Sequence, residues 1–128
     1  MTDLKVLSIA TDEVDASVEA FRKNFGFPVT RSSAGGAEHG RSVSLGIGGA
    51  QIEMTAAAVE GSPVARFLAE RGPGLHQLVL EVDDLEAAAA ELTARGVEVA
   101  IKARPDGTPA GSLSAAQTHG VRIVLVGR

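Results

Sequence analysis

Glu53 is the residue in this sequence best placed to do chemistry. It sits in the segment Gln51-Ile52-Glu53-Met54, where every second residue is apolar. Such alternation is the mark of a strand with one packed face and one open face. A carboxyl on the open face, between valines of neighbouring strands, suits general acid–base work or ligand contact. It also suits a plain hydrogen bond to Gln77 or a salt bridge to Arg122. Gln77 can hydrogen-bond a carbonyl or position Glu53. Arg122 carries a planar fork matched to a carboxylate or a phosphate, and pairing with Glu53 or Glu81 would serve it equally.

The three histidines, His39, His76 and His119, do not form a metal-ligand pattern such as H-x-x-x-H. His76 reads as packed on a helix side, His119 as holding a turn, and His39 as solvated in a glycine-rich loop. There is no cysteine, which excludes disulfides and thiolate chemistry. No G-x-G-x-x-G joins a strand to a helix, and no G-x-S-x-G elbow is present.

The elements that must position these groups follow from periodicity. Residues 4–11 read as a strand. Asp12 is the expected N-cap of a helix carrying Val14, Val18, Phe21 and Phe25, with Asp15 completing a near capping box and Gly26 as the stop. A second strand begins at Phe27–Thr30. Further strands are predicted near 41–47 and 50–55, turned at Gly48-Gly49. A connection over 56–74 holds one short helix, capped by Ser62-Pro63 and ended by Gly72-Pro73, with Val64, Phe67 and Leu68 facing the core. The pattern then recurs. A strand spans Leu75–Val82, Asp83 or Asp84 caps an Ala-rich helix ending at Gly96, and a strand covers Val97–Ile101. A polar loop over Lys102–Gly111 leads to strands near 112–116 and 121–126.

A shift of 71 residues superposes the halves: Leu4 on Leu75, Asp12 on Asp83, Gly49 on Gly120, and Gln51–Met54 on Arg122–Leu125. A repeat of a whole module predicts a pseudo-twofold structure. The expected fold is α+β: two βαβββ modules, about 4–55 and 75–126, forming a curved mixed sheet around a cavity in a single domain over 1–128. Period-two alternation assigns Leu7, Ile9, Ile52, Met54, Leu78, Leu80, Ile123 and Leu125 to the helix side. The other side holds Val6, Ser8, Gln51, Glu53, Thr55, Gln77, Arg122 and Val124. Its mixture of small, apolar and hydrogen-bonding residues fits a ligand cavity.

Composition narrows the partners. The 128 residues carry a net charge of -4 and no basic stripe, which argues against nucleic acid and anionic membrane. No apolar stretch is long enough to span a bilayer, so a cytoplasmic protein is the default. With four Phe and neither Trp nor Tyr, an aliphatic or acyl ligand is favoured over a flat aromatic one.

The repeat, the helix ending Asn-Phe-Gly-Phe, the segment from Ser62 to Val97 and the closing Thr-His-Gly-Val-Arg-Ile-Val-Leu resemble the vicinal-oxygen-chelate superfamily. Within it they look most like methylmalonyl-CoA epimerases and glyoxalase-I-like proteins. The resemblance implies a homodimer and a divalent metal held by one side chain from each of four strands, at Val6, Glu53, Gln77 and Val124 here. Two of these are hydrocarbons with no lone pair, so no metal and no other cofactor is expected. The epimerase-like carboxylate pair would fall near Val43 and at Val124, and neither can move a proton. Two functions follow as expectations. One is a metal-independent small-molecule-binding protein, with contacts from Val6, Ser8, Gln51, Thr55, Arg122 and Val124. The other is an epimerase, isomerase or lyase using Glu53 and Gln77 as catalytic residues.

Overall fold

The computed structural model describes residues 2–34, 40–57, 60–104, 106–118 and 120–128. His39 and His119 lie outside them. The chain divides into two compact units, Val6–His76 and Gln77–Arg128, the latter joined by Met1–Lys5. Each carries one βαβββ module, so the α+β class and the duplicated module stand.

In the first unit, β1 (Thr2–Ala10) leads to α1 (Val14–Phe25), β2 (Val29–Ser33), β3 (Ser42–Ile47), β4 (Ala50–Thr55) and α2 (Pro63–Arg71). The strand order is β2-β3-β4-β1, with β1 and β4 parallel and the other pairs antiparallel. The Gly48-Gly49 turn closes the hairpin at the pair Ile47–Ala50, and Gly48 takes the left-handed φ of 56°. Gly26 stops α1 with φ 72°, its N–H donating to the Arg22 carbonyl.

The start of α1 differs from expectation. Its N-cap is Glu13 rather than Asp12, with no side-chain cap bond. Buried Thr11 organises this corner instead. Its hydroxyl accepts from the Glu13 N–H at 3.1 Å and lies 2.7 Å from the Ser17 hydroxyl. Asp15 is not a capping-box partner either, since it pairs with Arg41 at 2.6 Å. That guanidinium holds the Asp15 carboxyl below the ordinary carboxylate range, mainly through the hydrogen bond. A lowered folded value means the pair contributes above the ordinary carboxylate pKa and is lost as pH falls through the folded one. Arg41→Gln is therefore expected to move the Asp15 midpoint upward in a carboxyl-detected NMR titration. An unmoved midpoint would remove the assignment.

In the second unit, β5 (Gly74–Val82) leads to α3 (Leu85–Ala94), β6 (Ala100–Ala103), β7 (Pro109–Leu113), a 3-10 turn (Ala115–Thr118) and β8 (Arg122–Gly127). The order is β5-β8-β7-β6. Asp84, not Asp83, caps α3, accepting from the Ala87 N–H at 3.1 Å. Losing that cap in Asp84→Ala is expected to cost about 1 kcal/mol in chemical denaturation. A change within error would show that the cap contributes nothing here.

Two strands lie three residues from their predicted places. The expected strand at 97–101 is β6 at Ala100–Ala103, and that at 112–116 is β7 at Pro109–Leu113. Much of the expected polar loop at 102–111 is therefore strand. What remains is a tight turn, in which the Asp106 carboxylate accepts from the Thr108 N–H at 2.9 Å.

For β7 the cause is visible in the register. The parallel pairs repeat at an offset of 71: Val6–Gln51 becomes Gln77–Arg122, and Ser8–Glu53 becomes Val79–Val124. The third strand does not. Ser42 faces Thr55 and Ala110 faces Val126, so its offset is 110 − 42 = 68. Three residues are missing before β7, and the longer connection through the 3-10 turn restores them before β8.

The helix-side assignment holds in both units. Val14 and Val18 pack on Val43, Leu45, Ile52 and Met54, flanked by Leu7 and Ile9. Leu85 packs on Val82, Leu113 and Leu125, flanked by Leu80 and Ile123. The short α2 holds Val64, Phe67 and Leu68 half-buried and buries no residue fully. Phe67 meets the edge of the His76 ring at 5.2 Å, which accounts for His76 as a packed residue.

Candidate functional site

Removing the helix-side residues leaves, on each unit, a face that α1 or α3 does not cover. In the Val6–His76 unit the pairing of β1, β4 and β3 sets the residues of that face in rows. Ser8, Glu53 and Ser44 form one row across the three strands, and Ala10, Thr55 and Ser42 form the next. Val6 and Gln51 pair two residues before Ser8 and Glu53.

Glu53 is half-buried, while Ser8 and Ser44 are buried. The Ser8 hydroxyl donates to Glu53 Oε1 at 3.4 Å, a long contact that leaves the other carboxylate oxygen for a further donor. The partner of Glu53 is therefore a hydroxyl of its own unit rather than an amide or a guanidinium. Arg31 on β2 faces Ser44 and extends the row, so across β1, β4 and β3 the row carries one carboxylate and two hydroxyls, which can accept from an N–H or O–H and can take a proton.

Val43 needs correction as a site position. It is buried in the core with Val18 and Met54. Its neighbours Ser42 and Ser44 are on the open face. They were detectable beforehand, because Ser42-Val43-Ser44-Leu45 alternates with period two and Leu45 is a core residue.

In the other unit, Gln77 pairs with Arg122 and Val79 with Val124 along β5 and β8, on the face opposite Leu80, Ile123 and Leu125. Gln77, Arg122 and Val124 are all half-buried. Arg122 does not pair with Glu81. That carboxylate is taken by Lys5 at 3.0 Å and Arg128 at 2.9 Å, and Arg128 also binds Asp83 at 2.7 Å and Asp3. The sequence-predicted residues thus fall into two groups, Val6, Ser8, Gln51, Glu53 and Thr55 in one unit and Gln77, Arg122 and Val124 in the other.

A divalent metal does not fit the residues at the positions that the superfamily resemblance implies. Val6 and Val124 offer only hydrocarbon, leaving one carboxylate and one amide. Among the described residues, no group of three or more His, Cys, Asp or Glu could hold a metal ion.

Comparison with known proteins agrees with this architecture. Methylmalonyl-CoA epimerase from Mycobacterium tuberculosis superposes with a TM-score of 0.82 at 27% identity, over 97% of this chain and 86% of that one. A variant of the Streptomyces coelicolor epimerase, in complex with 2-nitronate-propionyl-CoA, gives 0.84 at 27% identity, over 99% and 94%. In sequence, the mitochondrial methylmalonyl-CoA epimerase of Dictyostelium discoideum is 31% identical over 99 residues, which are 75% of this chain. The match spans 58% of that relative's length. The profile of the Glyoxalase/Bleomycin resistance protein/Dioxygenase superfamily matches residues 4–125, and the chain belongs to that superfamily.

Proposed function

We propose that the chain is a metal-independent small-molecule-binding protein of the glyoxalase/bleomycin-resistance type, and that its ligand is an acyl compound. The observation that carries this reading is the Ser8–Glu53–Ser44 row. A half-buried carboxylate there has one weak hydroxyl partner and free capacity for a ligand donor. Val6, Ser8, Gln51 and Thr55 supply the surrounding contacts in that unit, and Gln77, Arg122 and Val124 form a candidate contact group of their own on the other. An acyl ligand is supported by the complexes of related epimerases with CoA thioesters. The amides of a pantetheine arm offer N–H donors of the kind that Glu53 can accept.

The kinship with methylmalonyl-CoA epimerases favours a second reading, with Glu53 as acid or base on the acidic α-carbon of an acyl thioester. Inversion at that carbon needs a proton removed on one side and returned on the other. Val124 cannot supply the second base, so Glu53 alone supports exchange of the α-proton on one face rather than epimerisation. None of the helices among the described residues is long and apolar enough to cross a membrane. A homodimer is the assembly we assign by family habit, and light scattering would report it.

The deciding experiment is calorimetric titration with propionyl-CoA and methylmalonyl-CoA, followed by incubation of each bound ester in heavy water. Micromolar binding without deuterium uptake supports the binding reading. Uptake at the α-carbon supports the acid–base reading. Absence of binding by both esters would sink both.

A further inference from the structure

Arg122 is a half-buried cation on the helix-free face of its unit, and it forms no ion pair with any described residue. A guanidinium cannot shed its proton near neutral pH, so its charge persists whatever the surroundings. Holding it partly desolvated without a counter-charge is unfavourable, and an anion arriving beside it would relieve that cost. Glu81, the acid on the same face of β5, lies four residues along from Gln77 and is clamped between Lys5 and Arg128. The lateral neighbour of Arg122 is Gln77, its register partner on the adjacent parallel strand. Strands in a sheet lie about 4.8 Å apart, so the amide and the guanidinium rise from the same face side by side. Gln77 is also half-buried and makes no hydrogen bond to a described residue. Together they offer the fork of one guanidinium and the two N–H donors of one amide.

We propose that Arg122 and Gln77 form a receptor for a single carboxylate of the ligand, which makes Arg122 a specificity-determining residue. The inference rests on the small-molecule reading above and adds the ligand's charge to it. A carboxylate is chosen over a phosphate because one guanidinium balances one negative charge. Lys5 on β1 and Arg128 just after β8 already hold carboxylates. A planar carboxylate also matches the planar fork, with two parallel bonds to the guanidinium.

The experiment compares malonyl-CoA with propionyl-CoA, which differ by a carboxylate in place of a methyl group, and adds free malonate and inorganic phosphate as separate probes. The wild-type chain is expected to bind malonyl-CoA at least tenfold more tightly than propionyl-CoA. Arg122→Gln should erase that preference, weakening malonyl-CoA at least tenfold more than propionyl-CoA. Arg122→Lys, which keeps the charge and loses the fork, should recover part of it. Equal wild-type affinity for the two esters overturns the receptor and leaves the acyl-binding reading intact. So does an equal loss of both in Arg122→Gln. If neither ester binds but free malonate shifts the Gln77 side-chain amide signals in the wild type and not in Arg122→Gln, the receptor stands and the acyl-thioester reading falls. No shift with malonate in that case overturns both, and tighter binding of phosphate than malonate overturns the carboxylate assignment.

Discussion

Glu53→Gln is expected to weaken binding of an acyl thioester by about 10- to 100-fold, the range set by losing one hydrogen bond to a charged acceptor. The carboxylate is the one acid in its row, and Ser8 engages a single oxygen of it at 3.4 Å. The amide that replaces it presents an NH2 where the ligand brings a donor, so the lost acceptor is not restored. The fold should be indifferent, because the site is half-buried and the amide can still receive the Ser8 hydroxyl. Calorimetry reads the affinity and thermal unfolding reads the fold. An affinity within twofold of wild type would remove Glu53 from the site. A loss of α-proton exchange at unchanged affinity would move it from ligand contact to acid–base chemistry.

Leu45→Ala should lower unfolding stability by about 3 kcal/mol, within the range for emptying a fully buried leucine site. Leu45 has no solvent exposure, and neither does Met54 beside it. Both stand where β3 and β4 carry the residues that α1 covers, so Val14, Val18 and Ile52 must close the void or leave it empty. For a chain of this length the cost corresponds to a drop of roughly 10 °C in melting temperature. Ile101→Ala is the matched control, because Ile101 is 46% exposed and should lose well under 1 kcal/mol. Urea denaturation of both variants gives the comparison. Similar losses at the two positions would show that the helix-side core is not where stability is held.

The modules were legible in the sequence because two different periodicities agreed with one repeat offset. Helical spacing placed α1, the 71-residue shift placed α3, and alternation divided the faces of β1, β4, β5 and β8. The shift failed where loop lengths differ. Nothing in the composition of Lys102–Gly111 shows that three residues are absent before β7, so that strand was carried too far along the chain. The Val43 error has the same character on a smaller scale. One residue of slip turns an open-face position into a core position. The superfamily resemblance points near Val43, whereas the Leu45 alternation gives Ser42 and Ser44. The start of α1 was misread because Asp12 is the better cap by type, while buried Thr11 is better placed to hold Ser17 and the Glu13 N–H. That Arg122 has no ion pair among the described residues could not be read from the sequence, which also allows a pairing with Glu81. Glu81 is instead taken by Lys5 and Arg128, from opposite ends of the chain.

The most direct trial is to dialyse the protein against a strong chelator and titrate it with propionyl-CoA, before and after adding zinc or cobalt. If two valines truly take the place of lone-pair donors, the dissociation constant is the same in all three states. Binding that vanishes with the chelator and returns with the ion would contradict it.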